Sequence, residues 1–241
     1  MRALSALVRP ALAIAPATTA AIAPLGAGDA PEAHGAAQEA RQQAQLNHAE
    51  AQRLAALIQS RYRRAERFEA SFVQLSYLRA QDHKTRRRGV IRLERPHKLS
   101  IRYLDPKGHR VVSDGERLTV YDADRKVAYR SKADESFVPD MLAFLEGTAV
   151  LPRDYHLRVL DLERRQVKAG RILEAVPREP SAIFARILFY VDDAGEVTRV
   201  LVVDAQGNYN RFDLARPRHP KDIRDGEFRF RLPRGAKLVT P

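Results

Sequence analysis

The sequence predicts a mainly β domain, an antiparallel sandwich, barrel or large curved sheet, preceded by one amphipathic helix. Three observations predict it. About twelve short runs of β-branched, aromatic and aliphatic residues recur at roughly 8–15-residue spacing. Turn signals separate them: Asp105-Pro106-Lys107-Gly108, Asp114-Gly115, Asp122–Arg125, Asp192-Asp193-Ala194-Gly195 and Asp204–Asn208. Ahead of them, Leu54, Leu57, Ile58 and Tyr62 repeat at helical spacing, with Arg53, Arg61, Arg63 and Arg64 around the rest.

The elements follow in order. In residues 1–30, Arg2 and Arg9 are the only basic residues and no further charge appears until Asp29. The alanine-rich apolar stretch Ala11–Ala27 and the small residues at Gly28–Ala30 give this segment the layout of a secretory signal peptide. Pro10, Pro16 and Pro24 argue against a membrane-spanning helix. A flexible Ala/Pro leader is the plain alternative. Residues 31–48, rich in Ala, Gln and His, read as a flexible tether, and the folded domain as 49–241. The expected helix begins near Ala49. The strands expected after it are Phe68–Leu78, Val90–Arg95, Leu99–Leu104, Arg110–Ser113, Leu118–Tyr121, Val127–Arg130, Tyr155–Leu160, Gln166–Val176, Ile183–Val191, Val197–Val203, Tyr209–Leu214 and Phe228–Arg231. One segment breaks the series: Phe137, Met141, Leu142, Phe144 and Leu145, stopped by Gly147, read as a short apolar helix.

Composition excludes several classes of function. Of 241 residues 44% are hydrophobic and 30% charged, which is a globular balance. There is no cysteine, hence no disulfide, thiolate metal site, iron–sulfur cluster or thiol nucleophile. None of His34, His48, His83, His97, His109, His156 and His219 falls in a metal-ligand spacing, so neither a metal nor a cofactor is expected. No nucleophile elbow, P-loop or dinucleotide fingerprint is present. The paired carboxylates Asp122/Asp124 and Asp192/Asp193 lie in expected turns, where Asp bonds its own backbone. An enzyme therefore has little support. The net charge of +12 draws the protein to anions. Yet the aromatics follow strand periodicity rather than interleaving with Arg86-Arg87-Arg88, Arg61/Arg63/Arg64 or Arg216/Arg218/Lys221, so nucleic acid is not the expected partner.

Six segments, taken in order, resemble the outer-membrane lipoprotein carrier family, LolA-like. Phe68–Gln74 resembles its a-x-F-x-Q strand, and Arg88–Ile101 its G-x-l-x-l-x-R-P-x-x-f-x-w segment. Val112–Asp122 resembles v-s-D-G-x-x-l-w-x-Y, and Val138–Gly147 the apolar lid helix. Val202–Asn208 resembles D-x-x-G before a late strand, and Phe228–Val239 the F-x-f-x-x-P-x-G-x-x-v ending. Ile101 and Thr119 stand where the family commonly has aromatics.

The resemblance covers roughly residues 50–241. It implies a half-closed antiparallel barrel of about eleven strands, covered by short helices and enclosing an apolar cavity. It also implies a monomeric periplasmic chaperone that takes outer-membrane lipoproteins by their acyl chains. Such a carrier receives them from an inner-membrane ABC-type release complex and passes them to an outer-membrane acceptor. That acceptor is itself a lipoprotein, which this cysteine-free chain is not. A LolA-fold envelope-stress sensor or regulatory binding module, and a carrier of a different lipid, stay open as alternatives.

Strand alternation and the apolar segment together give the expected cavity lining: Phe72, Ile91, Leu93, Leu99, Ile101, Val120, Leu142, Phe144, Ile187, Phe189 and Val202. Arg95 lies in phase with Ile91 and Leu93. It reads either as a rim arginine whose stem covers apolar surface or, by the resemblance, as a latch whose guanidinium holds lid carbonyls in the empty carrier.

Overall fold

The computed structural model describes residues 30–133, 150–160, 170–181 and 184–240. The chain divides into residues 1–41 and 42–241, and the sheet and its core belong to the second unit. The expected leader (up to residue 29), the apolar helix around 137–145 with Leu142 and Phe144, and the start of the strand expected from Gln166 lie outside the described residues.

Helix α1 runs from Ala30 to Arg63. Residues 31–48, expected as a tether, lie within this helix. Ala, Gln, Glu and Arg carry that stretch by propensity alone, without an apolar stripe for a periodicity reading to detect. From Ala51 the stripe appears: Ala51, Leu54, Ala55, Ile58 and Tyr62 are fully buried.

Among the described residues twelve strands form a single sheet. They are β1 (Arg67–Leu78), β2 (His83–Glu94), β3 (Lys98–Asp105), β4 (Lys107–Asp114), β5 (Arg117–Asp122), β6 (Val127–Lys132), β7 (Tyr155–Leu160), β8 (Arg171–Pro177), β9 (Arg186–Val191), β10 (Val197–Val203), β11 (Tyr209–Arg218) and β12 (Lys237–Val239). Their order is β12-β6-β5-β4-β3-β2-β1-β11-β10-β9-β8-β7. The sheet is open, with β12 and β7 as its edges, as in a half-closed barrel. Every pairing is antiparallel except that of β12 with β6.

The final expected strand is corrected. Phe228 ends a 3₁₀ turn, Asp225–Phe228, and residues 229–231 join no strand; the last strand is β12. Phe228 is buried, and the neighbouring Glu227 is fixed by Arg92 and Arg102. The Phe228/Phe230 alternation therefore anchors a loop against the sheet rather than pairing with another edge.

The expected turns form through their aspartates. The side chain of Asp114 accepts the Glu116 and Arg117 N–H groups at 3.0 and 2.8 Å. Asp122 accepts those of Asp124 and Arg125, Asp192 those of Ala194 and Glu196, and Asp204 those of Gln206 and Asn208. Each carboxylate replaces backbone partners that the reversing chain loses. Gly115 takes φ +103° in the β4–β5 turn, a region closed to most side chains. Among the described residues no helix is long and apolar enough to cross a membrane.

Candidate functional site

One face of the sheet is apolar across almost its whole width, and strand register shows how. Phe68, Ala70 and Phe72 alternate inward along β1. Following the pairing outward from Ala70 gives the row Ala70–Ile91–Ile101–Val111–Val120–Tyr129–Val239, one residue from each of seven successive strands. A neighbouring row runs Phe68–Leu93–Leu99. On the other side of β1, Phe212, Val200, Phe189 and Leu173 form one row, and Val202, Ile187 and Ala175 another. Cross-strand partners share a face, so the two halves make one continuous surface. The stripe of α1 packs into it, and strands and helix form a single hydrophobic cluster.

The expected lining residues divide accordingly. Phe72, Ile91, Leu93, Leu99, Ile101, Ile187, Phe189 and Val202 are all buried in this cluster. Val120 is on the same face but is 38% exposed, and its row neighbours Tyr129 and Val239 are 47% and 43% exposed. The cluster ends at Val111 and Leu118, so Val120 lies beyond its edge.

At the other end of this face the lining turns polar. Gln74 is buried and accepts the Tyr103 hydroxyl at 2.9 Å. Its own amide donates to Asn210 at 3.2 Å and Ser76 at 3.3 Å. Burial pushes the Tyr103 phenol up, and the Arg87 guanidinium, 5.6 Å from the ring centre, opposes the shift. Gln74 is the glutamine of the a-x-F-x-Q segment, but its partners Tyr103 and Asn210 come from two other strands and carry no sequence signal.

Arg95 follows directly on β2. Its Nη1 donates to the Arg63 carbonyl at 2.7 Å and its Nη2 to the Tyr62 carbonyl. Its backbone N–H donates to the Glu66 carbonyl at 3.0 Å. The Tyr62 and Arg63 carbonyls belong to the last turn of α1, at the negative end of its dipole, and Glu66 lies just beyond it. The guanidinium therefore caps the helix that covers the apolar face. Any bond from Arg95 to residues 137–145 falls outside the described residues.

A second fastening on the same turn escaped the sequence reading. Tyr62 donates its hydroxyl to Glu196 Oε1 at 2.7 Å and accepts the Val197 N–H at 3.0 Å. Arg61 Nε reaches Glu196 Oε2 at 2.6 Å. Burial, the Glu196 charge and its hydrogen bond hold the Tyr62 phenol well above the usual tyrosine range. Glu196 is 5% exposed but stands directly after a turn, where a carboxylate reads as solvated.

His109, buried on β4, meets Asp122 at 3.7 Å and Asp124 at 3.4 Å. Its Nδ1 accepts the Ala123 N–H at 3.3 Å. This group staples the β5–β6 turn to β4.

The profile of the family "Outer membrane lipoprotein carrier protein LolA" matches residues 63–231, which covers every strand of this face except β12. The chain belongs to the LolA family. Relatives named outer-membrane lipoprotein carrier protein include one from Alkalilimnicola ehrlichii, 30% identical over 153 residues, 63% of this chain and 67% of that protein. Another, from Legionella pneumophila, is 24% identical over 195 residues, 77% of this chain and 89% of that protein. A third, from Nitrosospira multiformis, is 25% identical over 154 residues, 63% of this chain and 72% of that protein. A solved LolA superfamily protein from Nitrosomonas europaea is 15% identical, covering 75% of this chain and 97% of its own, with a TM-score of 0.42. The LolA match begins at Arg63, so the fastened end of α1 lies at its boundary.

Proposed function

We propose that this LolA-family chain is a periplasmic carrier that binds the acyl chains of lipoproteins and transfers them from the inner to the outer membrane. The family match over residues 63–231 carries this reading. The physical demand is plain: each buried CH₂ is worth about 0.8 kcal/mol, so a long acyl chain costs roughly 12 kcal/mol to leave in water. A carrier has to hide that surface and later give it up.

The apolar face supplies the hiding place. Phe72, Ile91, Leu93, Leu99, Ile101, Ile187, Phe189 and Val202 are the proposed lining, with Val120 at its open margin and Leu142 and Phe144 contributed by the apolar segment. Where α1 covers the face, chains enter as the helix gives way. Arg95 is the proposed latch, because its bonds to the Tyr62 and Arg63 carbonyls hold the end of that helix. Loading breaks them, and re-forming them favours release. In this reading residues 1–30 direct export, an inner-membrane release complex loads the carrier and an outer-membrane acceptor unloads it.

The test is to purify the protein from envelope extract and identify by mass spectrometry what accompanies it. Triacylated lipoproteins support the reading. Free phospholipid or another lipid alone replaces it with a carrier of different cargo. A regulatory protein bound without any lipid replaces it with a sensor or regulatory module.

A further inference from the structure

The opposite face of the sheet carries a second feature, independent of the apolar face. The segment from Ile223 to Pro233 crosses the outer side of β3, β4 and β5. Ile223 and Phe228 are buried there, and Phe230 packs against Tyr121 with ring centres 5.5 Å apart and planes tilted by 45°. Between this segment and β4–β5 is a cavity of about 580 Å³ whose lining includes Arg110, Arg229, Arg231, Tyr121, Phe230 and Asp225. That volume lies within the range of small-ligand sites.

Its charge is out of balance. Glu227 lies beside it, but its carboxylate is taken by Arg102 at 2.7 and 2.8 Å and by Arg92 at 3.2 Å. Arg110 is left with neutral acceptors, the Glu227 carbonyl and the Ser100 hydroxyl, both at 3.3 Å. Its Nε is buried with no hydrogen-bond partner. Burial, and then the charge of Arg102, lower its proton affinity, and the Glu227 charge opposes them in part. Arg229 and Arg231 are exposed, and neither forms an ion pair among the described residues. Asp225 is the one carboxylate in the lining, and it faces Lys98 at 3.7 Å. Three guanidinium groups thus line a cavity with one acid at its margin, and the carboxylate whose charge favours the half-buried Arg110, that of Glu227, is already taken by two other arginines, which is costly.

The geometry points to a binding site for a phosphate-bearing ligand, held by Arg110, Arg229 and Arg231 with its organic part against Tyr121 and Phe230. Planar guanidinium forks match phosphate oxygens in pairs, which ammonium groups do not. The aromatic pair offers an apolar wall beside them. A free phosphate ester and the headgroup of an anionic phospholipid share this chemistry.

The experiment uses the full chain at constant ionic strength, with three probes: inorganic phosphate, glycerol 3-phosphate, and phosphatidylcholine vesicles with or without phosphatidic acid. Calorimetry and sedimentation read binding, and the Arg110 Nε–H resonance reads the site. Saturable binding of glycerol 3-phosphate is expected, weakened at least about tenfold in Arg229→Gln/Arg231→Gln. These two side chains are exposed, so the fold is retained, and an unchanged melting temperature verifies it. Arg86→Gln/Arg88→Gln removes the same charge elsewhere and leaves binding intact. Capture of only the phosphatidic acid vesicles assigns the ligand to a lipid headgroup. Binding of the soluble probes without vesicle capture assigns it to a free phosphate compound. Either result upholds the site. No saturable binding of any probe overturns it, as does equal weakening by the two double variants.

Discussion

Tyr62 and Arg95 meet at the end of α1: the Tyr62 carbonyl accepts a hydrogen bond from Arg95 Nη2, while its hydroxyl donates to Glu196 at 2.7 Å. One residue therefore ties the helix to both halves of the sheet, to the end of β2 through its backbone and to the start of β10 through its side chain. The backbone tie can be broken without emptying the core. The side-chain tie is itself part of the core, since Tyr62 and Glu196 are both buried. The two fastenings should therefore behave differently when altered.

Arg95→Leu keeps an apolar stem and loses every side-chain donor. Charged hydrogen bonds contribute about 1.5–3 kcal/mol each, and in the proposed latch they favour the covered state over the loaded one. The variant should accept lipoprotein from the inner membrane and then retain it. Release from inner membranes and transfer to outer membranes, measured separately, check this. Normal transfer would leave Arg95 as a rim residue.

Tyr62→Phe removes the donor to Glu196 and the acceptor for the Val197 N–H, leaving buried polar groups short of partners. Stability should fall by about 1–3 kcal/mol. Urea unfolding should show a lower midpoint at unchanged slope. A change within about 0.5 kcal/mol, the scale of a surface substitution, would show that the network does not hold the helix.

Gly89 on β2 pairs with Phe72 of β1 and Tyr103 of β3. A Cβ built there would lie 2.4 Å from the Arg102 carbonyl oxygen and 2.6 Å from Cζ of Phe72. Gly89→Ala should therefore cost about 1–3 kcal/mol through overpacking against backbone. Denaturant midpoints measure it, and a wild-type midpoint would mean that the strands part without penalty.

Stability should be flat from about pH 5 to about pH 9 and fall on both sides. The Lys98 hydrogen bond, assisted by Arg67, lowers the Glu94 carboxyl against the opposing effect of burial. At Glu69 burial acts upward, and bonds from Arg92 and Arg218 outweigh it. A lowered folded-state pKa stabilises above the ordinary carboxylate range, and that contribution is lost as pH falls through it. The raised Tyr62 phenol has the opposite sense: its contribution is present below the ordinary tyrosine range and lost as pH rises past it. Midpoints measured across pH, with Glu94→Gln flattening the acid limb, check the assignment. Stability that rises below pH 4 would contradict it.

Much of this was legible in the sequence, for reasons that lie in particular residues. Leu54, Ile58 and Tyr62 repeat at helical spacing because they share one buried stripe. Asp114, Asp122, Asp192 and Asp204 marked turns because each carboxylate bonds backbone two or more residues on. Ile91, Leu93, Leu99 and Ile101 alternate because one strand face meets α1. What stayed hidden depended on partners distant in sequence. Glu196 is 134 positions from Tyr62, and nothing near it signals burial. Arg110 reads as an ordinary strand arginine until the segment around Glu227 folds over it. Phe228–Arg231 alternates like a strand, yet its aromatics anchor a loop.

The central claim, that the apolar face takes acyl chains, is tested most directly by displacement. An environment-sensitive apolar fluorophore is bound to the purified protein, and a triacylated lipopeptide or its deacylated counterpart is titrated in. The account predicts displacement by the acylated peptide, none by the deacylated one, and loss of fluorophore binding in folded Leu93→Glu, which places an unpaired charge on that face. Equal displacement by both peptides, or none by either while the fluorophore stays bound, would contradict it.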